Sequence, residues 1–536
     1  MRRPRTARSL LGAACALAAL LTAAPPASAT KAAPPSGTAH PQVNVAQGVL
    51  RGQEHDGAQE FLGVPYAAPP VGDARLRPPQ EPGRWTGVRE AGRQAPACLQ
   101  FSPHGLRDPQ DVSEDCLYLD VYRPRTARAG ARLPVIVWLH GGAFSQGTGT
   151  QFVGRTMADL TGTVVVSINY RLGQLGYLGL PEIAGQNAQR SGSFGLMDQM
   201  AALRWTRENI AAFGGNPGNV TVAGQSAGSA SVCALLAAPS AAGLFHRAVL
   251  QSGPCTLIRT PDGARAEAQA RAFAAHAGCR EPGTLVECLR AASGTVLVEA
   301  ARTVPTSGPA SGDGLLPVDP AEAIESGHWN KVPVLIGSNR SEARFFVALT
   351  QPYLTQEQYT AQVLAGYGAA GPQVLARYPV SAYGPPYLAL SAVMTDATFA
   401  CQTQWTAQLF AGQVPTYVYE FDDPDSPTLA GAQVPGLDES NAHSAELAYL
   451  YDFTMTERPL TAGQVAFAAR MKRYWGAFAR YGAPVVPGQP VWPAGGSGAG
   501  PAQVLALNPA AIRAGTSFGA DHQCAFWRTR PPGPPV

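Results

Sequence analysis

The sequence predicts an α/β fold with a mixed, mostly parallel central sheet flanked by helices. Three observations carry that prediction. Short β-prone runs alternate with helical stretches over most of the 536 residues. The runs are almost continuously apolar, as strands covered on both faces must be. One of them, Thr221-Val222-Ala223, enters Gly224-Gln225-Ser226-Ala227-Gly228 and then a stretch of small residues that opens a helix. That alternation is the rhythm of helices packed on both sides of a sheet.

The predicted inner strands are Leu133 to Leu139, Val164 to Ile168, Val220 to Ala223, Ala248 to Leu250, Val332 to Ile336 and Thr416 to Tyr419. Asp198 to Phe213 has the apolar spacing of a helix and stops at Gly214-Gly215, just before the third of these strands. Gly495 to Gly500 reads as a surface loop. No internal repeat or long linker divides the chain, so residues 42–530 are expected to form a single catalytic domain.

The first 29 residues read as a signal peptide. Arg2, Arg3, Arg5 and Arg8 form a basic start, Leu10 to Leu21 is apolar, and Ala27-Ser28-Ala29 offers a small-x-small cleavage site. The apolar stretch is too short to span a bilayer well, and no later run replaces it, so stable membrane insertion is not expected. Residues 30–41, rich in Ala, Pro and Ser, read as a flexible tether. Cleavage takes four arginines from the 40 basic residues and leaves 36 against 37 acidic ones, turning a formal +3 into −1. With no basic run left, nucleic acid is excluded as a natural partner. The only lysines are Lys31, Lys331 and Lys472, and with the Ala, Gly and Pro bias this predicts GC-rich bacterial coding and a secreted product.

Eight cysteines follow the signal segment: Cys98, Cys116, Cys233, Cys255, Cys279, Cys288, Cys401 and Cys524. An even number in an exported chain implies disulfides, but sequence alone permits 105 complete pairings. None forms a short-spaced Cys/His cluster of the kind that holds a metal.

Gly224 to Gly228 outlines a nucleophile elbow, which exposes a serine hydroxyl on a tight strand-to-helix turn. Chance produces such five-residue patterns, so the chemistry needs an oxyanion hole, a base and an acid elsewhere. His140-Gly141-Gly142-Ala143-Phe144 follows a predicted strand, and its paired glycines let backbone N–H groups converge. Gly141, Gly142 and Ala227 are therefore the candidate oxyanion donors; loss of one such donor costs roughly 3 kcal/mol in the transition state.

The chain resembles the type-B carboxylesterase/lipase family, an α/β-hydrolase family that includes the cholinesterases. The resemblance begins at Phe61-Leu62-Gly63-Val64-Pro65-Tyr66-Ala67 and Pro69-Pro70-Val71-Gly72. It continues through Ser113-Glu114-Asp115-Cys116-Leu117-Tyr118-Leu119-Asp120-Val121, with Asp120 where asparagine is common, then Asn169-Tyr170-Arg171 and Phe213-Gly214-Gly215-Asn216-Pro217. The family's triad runs Ser–Glu/Asp–His. Ile336 to Ala343 resembles the acidic motif, with Ser-Glu-Ala for the usual Asp-Glu-Gly, and nominates Glu342. Asn441 to Leu447 resembles the histidine motif and nominates His443 beside the nucleophile Ser226. The bottom-up reading demands an acid and a base; the resemblance selects which.

The resemblance further implies ion pairs Arg171–Asp198 and Arg75–Glu114; His140, by its place before Gly141-Gly142, reads as shaping the oxyanion loop and not as the base, and Glu446 reads as support for the histidine region. The resemblance also implies the disulfides Cys98–Cys116, Cys279–Cys288 and Cys401–Cys524. Cys233 and Cys255 stay open; with Cys233 two helical turns after Ser226, a buried free thiol is favoured over a fourth bond.

The implied activity is cofactor-free and metal-free hydrolysis of a small-molecule carboxylic ester. No oligomeric state is predicted. The loop between Cys98 and Cys116 holds Phe101 but none of the tryptophan that the cholinesterase branch uses for choline, and Gln225 stands where that branch has glutamate. Both departures favour a neutral ester over a quaternary ammonium one. Two rival readings are a lipase, which needs an apolar entrance wide enough for lipid, and a noncatalytic binding protein of the same fold.

Overall fold

The computed structural model describes residues 40–530, apart from 56, 102–111, 188–190, 258–259, 305, 307, 430–433, 435, 454 and 496–502. The expected signal peptide, nearly all of the tether, residues 496–500 of the expected surface loop and most of the loop between Cys98 and Cys116 lie outside the described residues.

Period-two alternation in the apolar runs divides their side chains between two cores. Val135, Val137, Leu139, Val164, Val166, Ile168, Val220 and Val222 point into one. Ile136, Trp138, Val165 and Ala223, their neighbours in sequence, point into the other. A strand buried this way has no polar face, which is why its sequence reads as continuously apolar. Each fully buried Val, Leu or Ile contributes about 1.5–3 kcal/mol.

Among the described residues, eleven strands form the main sheet: β1 (Gln53–His55), β2 (Ala58–Pro65), β3 (Tyr118–Pro124), β4 (Leu133–Leu139), β5 (Val164–Ile168), β6 (Gly215–Gln225), β7 (Arg247–Gln251), β8 (Val334–Asn339), β9 (Thr416–Phe421), β10 (Val504–Leu507) and β11 (Arg513–Gly515). Their spatial order is β1-β2-β3-β5-β4-β6-β7-β8-β9-β10-β11. From β5 to β10 every pairing is parallel. The pairings that reach β1, β2, β3 and β11 are antiparallel. All six expected inner strands are present in this mixed, mostly parallel sheet. The fifth begins at Val334, not Val332, because Pro333 between them has no N–H for the ladder.

Three helices frame the site: α1 (Phe194–Asn209), α2 (Ala227–Ala237) and α3 (Ala462–Tyr481). α1 starts four residues before the expected Asp198, since Phe194 and Gly195 are already buried in its first turn. A tight turn over Ile210–Phe213 then leads to Gly214 at φ 86°. α2 is buried along its whole length against β6, and its small residues permit that approach. α3 covers the second face with Phe467, Met471, Tyr474, Trp475 and Phe478. It starts on a capping box in which the Thr461 side chain accepts from the Gln464 N–H and the Gln464 side chain answers to the Thr461 N–H.

Both implied ion pairs form, Arg171–Asp198 at 2.7 Å and Arg75–Glu114 at 2.6 Å. Cys98–Cys116, Cys279–Cys288 and Cys401–Cys524 are bonded. Cys233–Cys255 is bonded too, which corrects the free-thiol expectation for Cys233. The cause is topological. β7 lies beside β6, and the turn after β7 doubles back over α2, where the Ser229 hydroxyl donates to Gly253 O at 2.7 Å. That carries Cys255 to within 5.5 Å of Cys233, Cα to Cα. Disulfides of this number belong to an oxidising compartment. Among the described residues, no helix is long and apolar enough to cross a membrane.

Cys401–Cys524 joins positions 123 residues apart and is buried with Trp527 in a third, helical cluster. The double variant Cys401→Ser/Cys524→Ser is expected to lose about 2–4 kcal/mol of unfolding free energy in a guanidinium titration.

Candidate active site

β6 delivers Ser226 at the carboxyl edge of the sheet. Its backbone takes φ 55° and ψ −123°, an uncommon conformation for a residue with a side chain, and α2 begins immediately afterwards. Close approach explains the flanking glycines. A Cβ on Gly224 would lie 2.4 Å from Gly228 O, and one on Gly228 would lie 2.1 Å from Leu139 O. The Ser226 N–H is held by Gln251 O at 2.9 Å, tying the elbow to the end of β7.

β8 ends at Asn339, and the turn after it presents Glu342, fully buried. The Asn339 N–H donates to Glu342 Oε1 at 2.7 Å, which aims the other carboxylate oxygen outward. That oxygen, Oε2, lies 2.7 Å from His443 Nδ1. The His443 loop is stitched to the Glu342 turn by His443 N–H to Glu342 O at 3.1 Å and Ser341 N–H to Asn441 O at 3.1 Å. Asn339 Nδ2 adds a bond to Ala442 O at 2.7 Å. Phe346 and Phe399 lie against the imidazole, with ring centroids 4.9 and 5.4 Å away. The second nitrogen of His443, Nε2, is 3.1 Å from Gln225 Nε2, so the histidine meets the residue directly before Ser226. Three segments more than 200 residues apart in sequence at their extremes thus converge at the elbow.

Glu446 sits one layer behind. Asn339 Nδ2 reaches its Oε2 at 2.8 Å and Gln251 Nε2 its Oε1 at 3.1 Å. Burial, and then the charge of Glu342, push the Glu446 carboxyl up to about 7.

The glycine loop follows β4. Gly142 takes φ 106°, and Ala143 and Phe144 follow at 51° and 58°. Gly142 O accepts from the Ser145 and Gln146 N–H groups, both at 3.0 Å, closing the turn. Among the described residues, no backbone oxygen meets the N–H of Gly141, Gly142 or Ala143. The same is true at Ala227, where the first N–H groups of a helix have no internal partner. Ala143 N–H thus joins the unpartnered donors of this loop, and the signal for it in the sequence is the third small residue after Gly141-Gly142. His140 is stacked on Tyr170 at 4.3 Å, and its Nδ1 lies 2.8 Å from Gly141 O. Burial lowers it to about 4, so it is neutral at ordinary pH and braces the loop.

A cavity of about 240 Å3 borders Gly142 and Ala143, with walls that include Leu99, Phe101, Leu175, Leu297 and Ala301.

The model of the carboxylesterase family matches residues 39–527. The acylcarnitine hydrolase of Mus musculus is 33% identical over 473 residues, spanning 82% of this chain and 81% of its own. The cocaine esterase of Homo sapiens is 32% identical over 464 residues, with 82% of each chain covered. A solved PNB esterase superposes with a TM-score of 0.75 at 31% identity, covering 90% of this chain and 99% of its own. The chain belongs to the carboxylesterase family, serine-type hydrolases of carboxylic esters.

Proposed function

We propose that residues 42–530 act as one catalytic domain that hydrolyses neutral carboxylic esters through an acyl-enzyme on Ser226. The observation that carries this is the 2.7 Å contact between buried Glu342 and His443, beside the elbow that holds Ser226. Glu342 fixes His443 with its proton on Nδ1 and favours the charged ring during reaction. Nε2 takes the Ser226 proton as the oxygen attacks the ester carbonyl. The N–H groups of Gly141, Gly142 and Ala227, joined by Ala143, hold the developing oxyanion. The imidazolium then protonates the departing alcohol, and a water activated at the same nitrogen releases the acid.

A neutral substrate suits the surroundings. Gln225 brings no charge to the elbow, Phe346 and Phe399 present apolar faces, and the cavity beyond Gly142 is walled largely by hydrocarbon. An apolar cavity of about 150 Å3 already admits benzene. Residues 1–29 act as a bacterial signal peptide in this reading, supported by their charge and apolar pattern and by the disulfides.

The test is covalent labelling with an organophosphate serine probe, followed by peptide mass mapping and a panel of phenyl and choline esters. The expected result is one adduct, on Ser226, loss of activity in step with labelling, and faster turnover of the phenyl esters. An adduct elsewhere, or full activity after complete labelling, would overturn the proposal.

A further inference from the structure

Neutral imidazole has one N–H and one lone pair, and a partner at one nitrogen fixes the role of the other. Glu342 is an acceptor, so Nδ1 of His443 carries the hydrogen and Nε2 offers the lone pair. The group 3.1 Å from Nε2 is the side-chain amide nitrogen of Gln225, which can only donate. Donor and acceptor match. Gln225 is 2% exposed, and its place depends on the glycine loop: a Cβ on Gly141 would fall 2.9 Å from Gln225 Oε1 and 2.8 Å from its backbone oxygen. Among the described residues, the Ser226 hydroxyl makes no hydrogen bond, so the nitrogen expected to deprotonate it is held by its neighbour in sequence.

We infer that Gln225 is a positioning residue that holds the lone pair of neutral His443 in the resting site. It keeps the ring plane fixed against the stacked pair Phe346 and Phe399 and yields Nε2 to the Ser226 hydroxyl when the ester binds. The inference rests on the reading of Ser226 and His443 as nucleophile and base.

The chemistry gives this contact a direction. An amide N–H stabilises the imidazole with its lone pair free and opposes the imidazolium, whose Nε2 carries a proton. A carboxylate in the same place would favour the imidazolium. Gln225 therefore biases His443 toward the form that can act as a base. The other ionisable groups facing the ring are Glu342 on Nδ1 and Glu446 behind it, and among the described residues neither hydrogen-bonds to Gln225.

The experiment compares pH profiles of kcat/KM for a small phenyl ester in the native enzyme, Gln225→Glu and Gln225→Met, with organophosphate labelling of Ser226 run on each. In Gln225→Glu, the acid limb is expected to move up by about one pH unit. Gln225→Met keeps the length without the donor; its limb should move up less, with kcat falling several-fold and KM little changed. Acid limbs that coincide in the native enzyme and the folded variants would overturn the inference. If Gln225→Glu does not fold, Gln225→Met decides alone. Absence of labelling at Ser226 in the native enzyme would instead overturn the underlying reading of the site, so the two failures are distinguishable.

Discussion

Ser226→Ala is expected to lower kcat by about six orders of magnitude, and Glu342→Gln by about four, with KM little changed in either. The sizes differ because the losses differ. Alanine removes the atom that forms the acyl bond. Glutamine leaves that atom and the base in place but offers His443 Nδ1 an amide that can turn its NH2 toward the ring. Asn339 N–H already demands an acceptor from position 342, at 2.7 Å, so the amide oxygen is drawn there and the NH2 falls toward His443. The imidazole must then carry its hydrogen on Nε2 and cannot accept the serine proton. Because the residues act as a unit, the double variant should be little worse than Ser226→Ala. Steady-state kinetics on a phenyl ester check all three, and wild-type turnover in Ser226→Ala would remove the nucleophile assignment.

How far the site could be read in advance depended on distance along the chain. Ser226 is legible from five residues because the elbow is local: strand, tight turn and helix are all encoded within the same stretch. Glu342 and His443 are 101 positions apart and carry no local geometry that marks them. A carboxylate after an apolar strand and a histidine in a polar loop occur throughout proteins, so family resemblance was needed to choose them. The inner strands were legible because burial on both faces leaves continuous apolar runs. The edge strands β1 and β11 were not, since both are three residues long, largely exposed and without an apolar run, and pairing partners rather than composition make them strands. Cys233 was misread for a related reason. Its spacing from Ser226 places it on α2, but only the return of the chain after β7 brings Cys255 alongside. Gln225 was read as a missing charge, whereas its contact with His443 appears only in three dimensions.

Least legible of all was a buried ionic cluster remote from the elbow in sequence, and it supports the second large prediction. His522 Nδ1 meets Asp396 Oδ1 at 2.5 Å and its Nε2 meets Glu420 Oε1 at 2.7 Å. Tyr378 OH donates to Asp396 Oδ2 at 2.8 Å, Trp527 Nε1 to Tyr378 OH at 2.7 Å, and Arg340 reaches Glu420 Oε2 at 3.1 Å. Burial alone would lower His522, but the charge of Asp396 and its hydrogen bond, then Glu420, overcome that and raise it to about 10. His522 is thus a cation at neutral pH between two buried carboxylates, linking the turn before Cys524 to β9 and to the π-helical segment Thr395–Ala400. His522→Ala leaves both carboxylates facing an empty site and is expected to cost about 3–5 kcal/mol, read as a lower guanidinium midpoint at pH 7. The pH dependence follows from the raised value. Folding binds the proton more tightly than the unfolded chain does, so the His522 contribution is complete below about 6.5 and fades as pH rises through about 10. The gap between native protein and His522→Ala should therefore narrow from about pH 6.5 to about pH 10. A gap that stayed constant across that range would mean that His522 acts by packing alone and not as the cation that neutralises Asp396 and Glu420.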